Sequence, residues 1–158
     1  MIIIIILFIL GLLFGSFINA WVWRVRQQID DDGEPVKLAS KQKTEYSVLK
    51  GRSMCPSCKH TLAAKDLIPV FSWLYLKGKC RYCKAKISPQ YPFIELLAAC
   101  LFVLSYVSIN PTNTLNWITL NTILVGLVGL IALAIYDAKW FLLPNKILTG
   151  ALIKFVLV

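Results

Sequence analysis

Acid and histidine are scarce in this chain. Its 158 residues hold 8 Asp and Glu against 17 Lys and Arg, and one histidine, His60. With so little imidazole, any metal site has to be built mainly from other donors, and His60, two residues past a cysteine pair, reads as a solvated neighbour. The first apolar run has no charge from Ile2 to Trp23. Nor is there a positive region before it or a small-x-small cleavage site after it, which excludes a secretory signal peptide. The run is long enough to cross a ~30 Å hydrocarbon core as a helix. A composition 58% hydrophobic excludes an ordinary soluble domain.

The charge that is present is segregated. Fourteen of the 17 basic residues and six of the eight acidic ones lie between Arg24 and Lys86, so this loop carries +8 of the net +9. Positive charge confined to one loop between apolar spans follows the positive-inside rule, placing the loop in the cytoplasm and the N-terminus outside. The same confinement removes the need for nucleic acid as a partner.

Cysteine is present in a telling pattern. Cys55-Pro56-Ser57-Cys58 and Cys80-Arg81-Tyr82-Cys83 are two CxxC pairs separated by 21 residues. Two such knuckles supply a closed tetrahedral S₄ set suited to Zn²⁺. In the cytoplasm thiols stay reduced, which weighs against two disulfides. Four cysteines fill the shell, so this zinc holds a fold together and leaves no position for a substrate. A thiol redox protein using its CxxC pairs and a non-enzymatic membrane adaptor remain the alternatives.

The rest of the chain falls into place around that loop. Gly11 and Gly15 form a GxxxG step with Ser16 beside it, and Asn19 is a polar side chain expected to face protein. The expected divisions are a first membrane helix over 1–23, a flexible linker over 24–50, a zinc module over 51–92 and further membrane helices over 93–158. Between the knuckles, residues 67–76 are apolar enough to lie against the membrane surface or a helix end, with Trp73 and Tyr75 suited to the interface. Phe93–Ile109 reads as a second span with Glu95 in its first turn, where a carboxylate meets the helix dipole. Cys100 reads as a small buried residue. Trp117–Tyr136 reads as a third span with Gly126 and Gly129 as close-contact points. Asp137 follows, and by itself reads as a helix-end carboxylate paired with Lys139 or Lys146. The apolar segment 147–158 gives about 18 Å of helix, too short to cross, and the expectation is a truncated polypeptide. The fold class is thus an α-helical polytopic membrane protein with a cytoplasmic four-cysteine zinc-binding loop domain.

Three stretches together resemble the prepilin peptidases, or type IV leader peptidases. The first is Gly15-Ser16-Phe17-Ile18-Asn19 with Arg24. The second runs from Arg52-Ser53-Met54-Cys55 through Asp66-Leu67-Ile68-Pro69, Ser72-Trp73-Leu74 and Gly78-Lys79-Cys80 to Tyr91-Pro92-Phe93-Ile94-Glu95-Leu96. The third is Asp137 with Leu143-Pro144-Asn145. The resemblance implies a membrane aspartic endopeptidase that removes the leader of prepilins or pseudopilins at the cytoplasmic face of the inner membrane. It implies S-adenosylmethionine as a methyl donor for the new N-terminus, and Asp137 as the first of two catalytic aspartates. The family's second aspartate lies further on, in a GxGD segment that these 158 residues do not contain. Asn145 stands where many relatives have Asp, and Gln90 where many have Arg.

Overall fold

The computed structural model describes residues 1–29, 36, 37, 39, 42, 45–47 and 51–140. Four helices order the described chain: α1 (Ile2–Arg26), α2 (Phe71–Tyr75), α3 (Gln90–Ile109) and α4 (Thr114–Trp140), with a 3₁₀ turn at Ala64–Asp66. Three of them, α1, α3 and α4, are long and apolar enough to cross a membrane. Among the described residues no β-strand forms; the knuckles carry isolated bridges between Met54 and Thr61 and between Lys79 and Lys86.

The helix boundaries follow local chemistry. α1 runs past Trp23 to Arg26, so its last turn carries Arg24 and Arg26 at the negative end of the dipole. α3 begins at Gln90, three residues before the expected start. Pro92 then falls in its first turn, where its missing N–H costs no intrahelical bond. Asn110 ends α3 in the left-handed conformation, with φ 43° and its N–H donated to the Tyr106 carbonyl at 2.9 Å. Asn113 opens α4, its Oδ1 accepting the Asn116 N–H at 2.9 Å.

The bundle is organised by one close contact. α1 packs most extensively on α3, and α4 lies against both. A Cβ placed on Gly11 would fall on the Ala99 backbone, and one on Gly15 would lie 2.6 Å from the Cα of Glu95. The GxxxG step therefore lets two backbones touch. Around it Ile18, Val22, Ile94, Ala98, Phe102, Ile131 and Ile135 form the buried core. Asn19 faces protein as expected, donating to the Gly15 carbonyl at 3.2 Å and across the interface to the Tyr91 carbonyl at 3.3 Å.

Several expectations need correction. A Cβ added to Gly126 would meet no described atom within 4 Å, so this glycine is not a close-contact point. Cys100 is exposed, because it sits on the side of α3 turned away from both partner helices. The linker over 24–50 lies largely outside the described residues, but part of it is held. Tyr46 is buried with its ring edge-on to Trp23 at 5.7 Å, and its carbonyl accepts from Gln28 at 2.7 Å. The segment 147–158, together with Lys146 and Leu143-Pro144-Asn145, lies outside the described residues.

Gly15→Ala is expected to force the α1 and α3 backbones apart and lower stability by about 1–3 kcal/mol. Gly126→Ala, in open space, should leave stability unchanged or raise it by up to about 1 kcal/mol. Reversible unfolding in mixed micelles followed by circular dichroism separates the two; equal effects would show that the Gly15 contact does not tie the helices.

The four-cysteine centre and the cavity at the helix ends

The module between α1 and α3 is two copies of one turn. In each, the first cysteine's N–H bonds to a carbonyl five residues on (Cys55 to His60 at 3.0 Å, Cys80 to Ala85 at 2.8 Å). The residue after the second cysteine donates back to the first (Lys59 to Cys55 at 2.9 Å, Lys84 to Cys80 at 3.0 Å). Closing the turn puts Lys59 at φ 55° and Lys84 at φ 59°, a left-handed conformation costly for a residue with a Cβ.

The two knuckles face each other. The Sγ atoms of Cys55, Cys58, Cys80 and Cys83 all lie within 4.8 Å of one another, and Cys55 and Cys83 are 3.8 Å apart. A regular tetrahedron of Zn–S bonds of about 2.3 Å has S···S edges of about 3.8 Å, so the spacing fits a single ion held by four thiolates. None of the four is in a disulfide, and one pair from each knuckle joins a single cluster that could hold one metal ion. As a thiol set they share protons. Burial works against ionising Cys55, yet the amides of Cys58 and Ser57 and the neighbouring thiols bring it down to about 7. At Cys83 the Ala85 amide favours the thiolate, but burial and the three other sulfurs push it up to about 11. His60 is exposed and stacks on Tyr82 at 3.8 Å, outside the sulfur set, as the sequence suggested.

A carboxylate ties the second knuckle to the connecting segment. The side chain of Asp66 is only 2% exposed and accepts from Arg81 Nε at 2.6 Å, from the Tyr82 hydroxyl at 3.2 Å and from the Ala63 N–H at 3.3 Å. Burial opposes its charge, but the Arg81 hydrogen bond and the other donors outweigh that and hold it below the usual carboxylate range. Trp73, expected at the membrane interface, instead turns into the module. Its Nε1 donates to the Ile87 carbonyl at 3.1 Å, and its ring lies against Gly78, which adopts φ 66°.

Between this module and the ends of α1, α3 and α4 lies a cavity of about 350 Å³. Its wall includes Asn19, Arg24, Arg52, Trp73, Glu95 and Lys139, and Cys55 and Cys80 reach it from the metal side. Glu95 is not a first-turn dipole partner. It lies in the second turn of α3, 7% exposed, and accepts the Val70 N–H at 2.6 Å. Val70 occupies a strained γ-turn (φ 60°, ψ −52°) closed by the Phe71 N–H on the Pro69 carbonyl at 2.6 Å. A carboxylate in a membrane helix is expensive unless hydrogen-bonded, and the module supplies a donor. Sequence spacing carried no sign of this pair, since Glu95 and Val70 are 25 positions apart.

Asp137 is exposed near the end of α4, two residues before Lys139 of the cavity wall. Among the described residues it forms no ion pair, so the expected bridge to Lys139 is not made; Lys146 lies outside them. The structure brings the four cysteines together, and Asp137 is not part of that cluster.

A family model described as the bacterial peptidase A24 N-terminal domain matches residues 9–109. The type 4 prepilin-like proteins leader peptide-processing enzyme of Escherichia coli O78:H11 (strain H10407 / ETEC) is 38% identical over 147 residues, covering 90% of this chain and 51% of its own length. A prepilin leader peptidase/N-methyltransferase of Dichelobacter nodosus is 37% identical over 147 residues, with 87% and 50% covered. One of Bacillus subtilis (strain 168) is 36% identical over 143 residues, with 90% and 49% covered. The chain therefore spans about half the length of the curated relatives it matches. No solved structure matches it.

Replacing Lys59 or Lys84 with glycine should relieve the left-handed strain and stabilise the module by about 0.5–1 kcal/mol each. Thermal unfolding of the two variants checks this; a loss of stability in both would mean that the lysine side chains contribute more than the turn costs.

Proposed function

This chain belongs to the family of the bacterial peptidase A24 N-terminal domain, and on that premise we propose that it is the N-terminal half of a prepilin peptidase. In this reading it removes the leader of type IV prepilins or pseudopilins at the cytoplasmic face of the inner membrane. The observation that carries the reading is the 38% identity to a leader peptide-processing enzyme across 90% of the chain. The placement of Asp137 supports it. An exposed carboxylate at the module-side end of α4 is open to water and to an extended peptide, and Lys139, two residues on, already lines the cavity.

Asp137 would serve as one of two acids. One carboxylate takes a proton from the attacking water while the other, protonated, polarises the scissile carbonyl. Held close, like charges share one proton and separate their titrations. By resemblance the second aspartate belongs to the part of the relatives that these residues do not span. Cys55, Cys58, Cys80 and Cys83 would hold Zn²⁺ as a structural ion, which cross-links the knuckles and supplies no open coordination position. The module's +8 loop fits a cytoplasmic placement by the positive-inside rule. Relatives named N-methyltransferase support S-adenosylmethionine as donor of a methyl group to the new N-terminal amine.

Two measurements test this. Purified protein should carry one zinc per chain by elemental analysis, and Cys80→Ser should lose the metal and the module's cooperative unfolding; protein that folds with no metal would end the zinc assignment. In a form extended by the downstream region its relatives carry, Asp137→Asn should slow prepilin leader removal by about 10²-fold or more with zinc content unchanged. Cleavage at the parental rate would remove Asp137 from the mechanism.

A further inference from the structure

The segment between the knuckles is apolar on two faces. Ser72 and Trp73 of α2, with Leu76 just after it, line the cavity. On the other side Ile68, Phe71, Leu74 and Tyr75 are all exposed, Phe71 by 68% and Tyr75 by 79%, whereas Leu67 stands on the cavity wall. Phe71, Leu74 and Tyr75, at i, i+3 and i+4, share one face of α2, and Ile68 precedes them across the Pro69–Phe71 turn. The Arg81 guanidinium, 6.0 Å from the Tyr75 ring centre, reaches over its edge. Four large apolar side chains left open side by side, among the described residues, exceed the scattered exposure a module surface ordinarily carries.

The position of this row along the bilayer normal follows from Glu95. α3 has 20 residues, about 30 Å of helix, which is the thickness of the hydrocarbon core with nothing to spare. Gln90 therefore sits at the core's edge, and Glu95, five residues on, lies about 7.5 Å along the helix from that edge. Helical side chains lean toward the N-terminus, so the Glu95 carboxylate points back toward the module. It meets the Val70 N–H at 2.6 Å, which fixes the Pro69–Phe71 turn at the level of the first two turns of α3. At that level α3 itself exposes Phe93, Leu96 and Leu97, the side chains that a spanning helix turns to lipid. The exposed row of α2 is thus at the same depth as a lipid-facing surface. Lys65 and Lys77, both exposed, bracket it, placing positive charge where anionic headgroups would lie.

We propose that residues 68–75 form a wedge that inserts its Ile68, Phe71, Leu74 and Tyr75 face into the headgroup–acyl boundary of an anionic leaflet on the module's side of the membrane. The occupant of this face is phospholipid. Its insertion and the Glu95–Val70 bond hold the module down over the helix ends, so the cavity is closed partly by the bilayer. The inference rests on the three helices crossing a bilayer and does not depend on the peptidase reading.

The test uses the full chain in nanodiscs of phosphatidylethanolamine and phosphatidylglycerol. p-Benzoylphenylalanine is placed at Phe71, at Tyr75 or at the exposed Thr61 of the first knuckle, and adducts are identified by mass spectrometry after irradiation. Lipid adducts at 71 and 75 at least tenfold above those at 61 are expected. Adducts at or below the level at 61, or adducts to protein alone, would overturn the wedge. Trifluoromethyl-phenylalanine at position 71 gives a second readout that needs no cross-linking. Lipid carrying a nitroxide near the headgroup should broaden its fluorine resonance strongly and that of the same label at 61 weakly; equal broadening would count against insertion. Leader-cleavage assays play no part in either readout, so failure here and failure of the peptidase reading are separable.

Discussion

The contact of two backbones at Gly11 and Gly15 is the constraint from which the rest of the architecture follows. Because no side chain separates α1 from α3 there, Asn19 can reach across to the Tyr91 carbonyl, and Glu95 is sealed between the helices. Sealing a carboxylate in that position creates a demand for a donor. The demand is met by a peptide N–H of the module together with the Ser16 hydroxyl of α1. A helix–helix contact in the bilayer thereby determines where an extramembrane module docks.

The module in turn has little besides its four-cysteine cluster and its hydrogen bonds to hold it together. Its hairpins are isolated bridges and its helix is five residues long, with little buried apolar surface to hold them. Two repeated knuckle turns bring four sulfurs to metal-binding distance, and one buried carboxylate, Asp66, ties Arg81 and Tyr82 of the second knuckle to the segment between them. Metal ligation by such a cluster, as proposed, would substitute for a hydrophobic core in a unit too small to build one. It would also leave the apolar side chains of residues 68–75 free to be used outward.

Much of this is legible along the chain. Three apolar runs, the charge confined to one loop, the paired CxxC motifs and the GxxxG step are short-range or compositional signals, and each corresponds to a feature of the fold. What misleads are residues whose role is set by a distant partner. Glu95 resembles a dipole partner because its hydrogen-bond donor is 25 residues earlier. Trp73 looks interfacial because aromatic residues often are, yet the absence of a side chain at Gly78 gives its ring a seat inside the module. Cys100 looks buried by residue type, but in a bundle of three helices part of every helix must face outward.

By itself the sequence determined which runs are long and apolar enough to cross a membrane, which loop carries the charge and which four residues can bind a metal, because hydropathy, charge and ligand spacing act over one or two turns of chain. Tertiary structure alone decided how the module meets the bundle: which carboxylate takes the Val70 N–H, which groups surround the cavity and which face of α2 is turned outward. Those outcomes depend on the angle and depth at which separate helices pack, and backbone contact at two glycines, invisible as a distance in one dimension, sets both.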